Sequence, residues 1–172
     1  MHADTDRILI EVRTSRTSEE TPEAMMQFFA SLVDVKRFVL PFWKRGVPIS
    51  FEIAVLEQTI HFFVSVPTDY QAFIESQLQT QYPTAFISHV PDYLPTLLSE
   101  TDTLSVGQMK VTNGSFYSLR TYKEFRDVDP LSSLLGLLSK AEPTDSIVIQ
   151  FLILPIGKGW QSKGRSAANN KQ

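Results

Sequence analysis

Residues 49–67 read ISFEIAVLEQTIHFFVSVP, and this stretch decides the fold. Ile49, Phe51, Ile53 and Val55 alternate with Ser50, Glu52 and Ala54. Strict alternation over eight residues predicts a strand with one face buried. Ile60, Phe62, Val64 and Val66 then alternate with His61, Phe63 and Ser65, which predicts a second such strand. Only Glu57 and Gln58 separate the two, so they form a hairpin, although the turn lacks the glycine of the strongest hairpin signal.

Helices and further strands flank this hairpin. Upstream, residues 8–13 (ILIEVR) predict a strand, and Thr21-Pro22 marks a helix start followed by Met25, Phe28, Phe29, Leu32 and Val33 at helical spacing. That helix is expected over 22–33. Downstream, Thr68 is expected to cap a second helix, with Asp69 in its first turn and Phe73, Ile74 and Leu78 on its apolar face. Pro83 stops it, and residues 84–90 (TAFISHV) predict a fourth strand. The order β-α-β-β-α-β predicts an α+β fold of ferredoxin-like type, a two-layer sandwich with two helices on one sheet face and the other face open and partly polar.

Residues 8–90 are therefore expected to form a ferredoxin-like domain, with 91–102 a linker rich in Pro, Ser, Thr and Asp. Beyond it, 103–111 and 115–121 flank Asn113-Gly114, a strong hairpin turn. Asp129-Pro130 repeats the cap-plus-proline start before a Leu131, Leu134, Leu135, Leu138 stripe. Residues 146–154 (SIVIQFLIL) predict a strand buried on both faces. The segments Ile10–Thr14 and Tyr117–Thr121 echo one another ahead of these helix starts. Residues 103–155 are thus expected to be a partial second α+β unit, an incomplete ferredoxin-like β-α-β, with 156–172 a flexible basic tail.

Charge and composition exclude several functions. The 64 residues between Arg45 and Lys110 contain no Lys or Arg but seven acids, so they cannot neutralise a phosphate backbone, and no direct nucleic-acid contact is expected. The chain has no cysteine, which removes thiolate catalysis, disulfides and Cys-ligated metals. No 18-residue apolar run exists, so no membrane span is predicted. There is no GxxxxGK[ST] phosphate loop; Gly157–Gly164 is glycine-rich but reads as a connector. His61 and His89 are both expected on the sheet face opposite the apolar set, without a third ligand, so no metal site is predicted. Asp129 reads as a helix cap, and no GxSxG elbow supports a hydrolase. No catalytic, cofactor-binding or metal residue is assigned, and no cofactor is expected.

The segments TPEAMMQFFASL (21–32), ISFEIAV (49–55), IHFFVSVP (60–67), ESQLQTQYPTAFI (75–87), DPLSSLLGLLSK (129–140) and IQFLILPIGKGWQSKG (149–164) together resemble the N-terminal, pre-motor region of bacterial type IV secretion and conjugation ATPases. The resemblance spans residues 8–164, and its motifs are structural. The family's nucleotide-binding motifs fall outside the chain, so ATP hydrolysis is not carried over. What the resemblance implies is a non-enzymatic accessory domain that docks to protein subunits of a secretion or conjugation assembly. Met1–Arg7 is too polar for a secretory signal, so a cytoplasmic location is expected; the resemblance implies a place at the inner face of the cytoplasmic membrane through that assembly, and it allows an oligomer. Candidate partner contacts are Phe42, Trp43, Lys44 and Arg45 in the basic loop, and Lys158, Trp160 and Lys163 near the C-terminus. The alternative is a stand-alone ferredoxin-like small-ligand-binding or regulatory module using the open sheet face.

Overall fold

A computed structural model describes residues 6–15, 21–38, 48–97, 103–110, 112, 117, 122–124, 131–154 and 159–169. They form a mixed α+β structure with one five-stranded antiparallel sheet and four α-helices. The strands are β1 (Arg7–Arg13), β2 (Ile49–Leu56), β3 (Thr59–Pro67), β4 (Phe86–Val90) and β5 (Ile147–Ile153), in the order β4-β1-β3-β2-β5. The helices are α1 (Pro22–Phe38), α2 (Gln71–Gln81), α3 (Ser132–Leu138) and α4 (Gly159–Asn169).

The hairpin forms as its alternation requires. Phe51 faces Val64 and Ile53 faces Phe62 on one side, while Ser50 faces Ser65 and Glu52 faces Phe63 on the other. Glu57 and Gln58 both adopt positive φ, 49° and 61°. Such a two-residue turn matches the right-handed twist of its strands, which explains how the hairpin closes without glycine.

The first face carries the main core. Ile10, Ile49, Val64 and Val66 from the sheet meet Phe28 and Leu32 of α1 and Ile74 and Leu78 of α2. Both helical pairs are four residues apart, so each helix presents one apolar stripe. Ala24 N–H donates to Thr21 O at 3.0 Å, fixing the start of α1. The helix continues to Phe38, five residues past its expected end. Ahead of α2, Thr68–Tyr70 form a 3-10 turn, and Thr68 is not a cap. Its hydroxyl and its N–H both donate to Asp6 O at 3.0 Å, tying this turn to the start of β1.

The C-terminal segments depart from the expected second unit. β5 does not begin a new sheet; it pairs antiparallel with β2, Ile53 facing Ile149 and Glu52 facing Gln150. The free edge of β2 supplies the unpaired backbone groups that an apolar strand needs. β5 is also not buried on both faces. Phe151 is 44% and Leu152 66% exposed, because an edge strand has a neighbour on one side only. Leu138 of α3, 2% exposed, packs with Ile53 and Val55, and Ile147 and Ile149 join them. Leu138→Ala is expected to cost about 2–4 kcal/mol and to speed hydrogen exchange at β5 amides more than at β1 and β3.

Residues 103–110 form no strand and are exposed throughout. Asn113-Gly114 and Asp129-Pro130 lie outside the described residues. Residues 159–169, expected within a flexible tail, are helical as α4, a segment supplied with Gln, Lys, Arg and Ala.

Candidate functional site

The second sheet face is not open. Residues 91–97 cross it, and Tyr93, 8% exposed, packs with Leu9, Ala54 and Phe63. Pro91 and Pro95 bracket Tyr93 and stiffen this strap. The Tyr93 ring stacks on Phe63 with centroids 4.9 Å apart and planes 28° apart. His61 stacks on Phe63 as well, at 5.6 Å and 4°. The expected open-face aromatic, Phe63, is therefore 5% exposed.

Strand register aligns side chains in rows across this face. One row runs Leu9, Ser65, Ser50, Leu152, and the next Glu11, Phe63, Glu52, Gln150. Glu52 is 4% exposed, although the sequence alternation placed it toward solvent. The Tyr93 hydroxyl donates to Glu52 Oε2 at 2.5 Å, and Gln150 Nε2 donates to Glu52 Oε1 at 3.1 Å. A hydrogen bond to an ionised acceptor is stronger than a neutral one, which helps to hold this carboxylate inside the protein. Burial first, then the Glu52 hydrogen bond and charge, push the Tyr93 phenol far above its ordinary value. Tyr93 thus stays a neutral donor.

Arg7 lies at the mouth of this region. Its Nε donates to Ser65 Oγ at 3.0 Å, Nη2 to Ser65 O at 2.7 Å, and both Nη1 and Nη2 to Pro48 O at 3.2 Å. Burial lowers the Arg7 pKa against the opposing pull of Glu52, and its donors are largely committed to protein acceptors. Among the described residues no Lys, Arg or His nitrogen comes within 4.0 Å of the Glu52 carboxylate. Ser50, 3% exposed, has a buried Oγ without a hydrogen-bond partner. A cavity of about 480 Å³ is lined by these groups together with Asp92 and His89.

The two strand histidines part company. His61 is on the second face, as expected, and its Nδ1 lies 2.8 Å from Glu11 Oε1. His89 is opposite Ile10, on the helix-covered side, with Nε2 2.5 Å from Glu75 Oε1 and 3.1 Å from Gln71 Nε2 of α2. Register, rather than alternation within β4 alone, fixes that assignment. No cluster of three metal-ligating side chains occurs among the described residues. None of their helices is long and apolar enough to cross a membrane.

Of the expected partner contacts, Trp160 and Lys163 are exposed and lie one turn apart on α4. Phe42, Trp43, Lys44, Arg45 and Lys158 lie outside the described residues. The sequence reading missed Ser50, Glu52, Tyr93 and Gln150. A glutamate inside an apolar strand and a tyrosine between two prolines were the available signals.

Fold and site together define a class: an α+β domain with helices on one face of an antiparallel sheet and a strapped, carboxylate-bearing cavity on the other. The chain belongs to the family described as a domain of unknown function, DUF8128, whose sequence model matches residues 1–172. No curated protein and no solved structure matches the chain.

Proposed function

We propose that the domain is a non-catalytic docking module, the pre-motor accessory domain of a bacterial type IV secretion or conjugation motor that its sequence resembles. In this reading, the first six elements are a ferredoxin-like unit and β5 is the extension that meets a partner subunit on the cytoplasmic side of the membrane. The docking reading rests on the outer edge of β5. Its sequence, IVIQFLI, contains no charge and no proline. Phe151 and Leu152 are exposed on opposite sides of this strand. Proteins ordinarily blunt such edges with charges, prolines or bulges, and an unblunted edge is a template for another strand. The occupant is an extended segment of a partner subunit, added beside β5 through backbone hydrogen bonds.

Photo-cross-linking from position 152 in the native cell tests this. The expected adduct contains a subunit of a secretion or conjugation assembly. Leu152→Lys is expected to abolish that adduct's counterpart in co-purification while changing stability by no more than about 0.5 kcal/mol. Adducts only with unrelated proteins, or none, would overturn the reading. A second reading, a small-ligand or regulatory module, is favoured by the cavity beside Glu52.

A further inference from the structure

We propose that the cavity between β2 and the 91–97 strap binds a small organic ammonium, held by the Glu52 carboxylate and the Ser50 hydroxyl. This holds whether or not β5 docks a partner.

Two buried residues line the same space. Glu52 is a carboxylate, 4% exposed, whose only described hydrogen-bond donors are neutral. A buried charge ordinarily has a counter-ion, because two neutral donors do not replace the hydration it has lost. Each of its oxygens receives one hydrogen bond and has capacity for another. Ser50 is two residues away on the same face of β2, about 6.6 Å along the strand. Its Oγ has neither a donor nor an acceptor partner. An unsatisfied buried hydroxyl beside a buried carboxylate that lacks a direct ion pair among the described residues is costly unless something polar joins them.

The charge around the cavity selects the sign of the ligand. Glu52 and Asp92 line it together with Arg7 and His89, and the His89 Nε2 is engaged with Glu75. Arg7 attracts Glu52 but makes no ion pair with it within 4.0 Å, its donors being occupied with Pro48 O, Ser65 O and Ser65 Oγ. A carboxylate or phosphate ligand would face two acids. A metal ion is disfavoured too, since no three-ligand cluster exists among the described residues. The volume of about 480 Å³ lies within the range of small-molecule sites. The distance between Glu52 and Ser50 suits an ammonium that carries a second polar group a few bonds away, as in an amino alcohol or a diamine.

The groove between α2 and β4 does not compete. Its Glu75 and His89 already pair with one another.

The test is an amide-detected NMR titration of the 172-residue chain with ethanolamine, putrescine and, separately, inorganic phosphate. Ethanolamine or putrescine is expected to move the amides of Ser50, Glu52, Gln150 and Leu152 saturably, and phosphate is not. Glu52→Gln keeps the shape and removes the charge, so it is expected to weaken binding by at least about tenfold. Ser50→Ala, which leaves the carboxylate in place, is expected to weaken it by a few-fold. Three results would overturn the proposal: no saturable shift with either amine, equal binding by Glu52→Gln, or phosphate moving the same amides. The last would mean that Arg7 governs the site.

Discussion

Phe28→Ala is expected to remove about 3–5 kcal/mol of stability, a large share of what a domain of this size holds. Phe28 is fully buried in the main core, between α1 and the sheet. Its ring meets Phe29 at 5.7 Å and Phe51 at 5.9 Å, both edge-to-face, and Phe29 meets Phe51 at 5.3 Å. Three mutually edged rings have little room to collapse into the space that one of them leaves. The cost should therefore sit at the upper end of the range. Chemical denaturation should show a lower midpoint with an unchanged slope if the native shape survives.

Tyr93→Ala is expected to cost a similar amount, about 3–5 kcal/mol, for a different reason. It removes a ring stacked on Phe63 and a donor to Glu52 in one step. Tyr93→Phe separates the two effects. It retains the stacking and loses the hydroxyl, at about 1.5–3 kcal/mol for a hydrogen bond to a charged group. The pH dependence has a definite sign. Burial and Glu52 raise the Tyr93 pKa in the folded protein, so the neutral phenol is the folded form. Below the ordinary tyrosine pKa, about 10, both states hold this proton and stability is unaffected. Above it the unfolded chain releases the proton and the native protein does not, so stability falls as pH rises. Tyr93→Phe should flatten that alkaline loss, which urea midpoints measured between pH 8 and pH 11 would reveal as about one proton fewer released on unfolding.

The hairpin over 49–67 was legible because alternation alone specifies it, and the register found across Phe51–Val64 and Ile53–Phe62 follows directly. The helical stripes Phe28–Leu32 and Ile74–Leu78 were equally legible. What alternation cannot say is what lies on the other face. Glu52 and Ser50 read as solvated because a polar residue in a half-buried strand usually is. Glu52 is held inside by Tyr93, which is 41 residues away in a segment that reads as a linker. His89 was misplaced for a related reason. Only pairing with Ile10 of β1 fixes which side of the sheet it faces. β5 misled differently. A continuous apolar run signals two covered faces in a central strand, yet here it ends a sheet. Composition cannot separate a buried central strand from an exposed edge strand.

The order of the strands also sets a timetable. β1 to β4 are complete once residue 90 has been made, whereas β2 receives its outer neighbour only when Ile153 follows. At about 5–20 residues per second, synthesis leaves that side of β2 bare for roughly 3–13 s. The nascent chain thus presents an apolar, unpaired strand to everything near the ribosome exit.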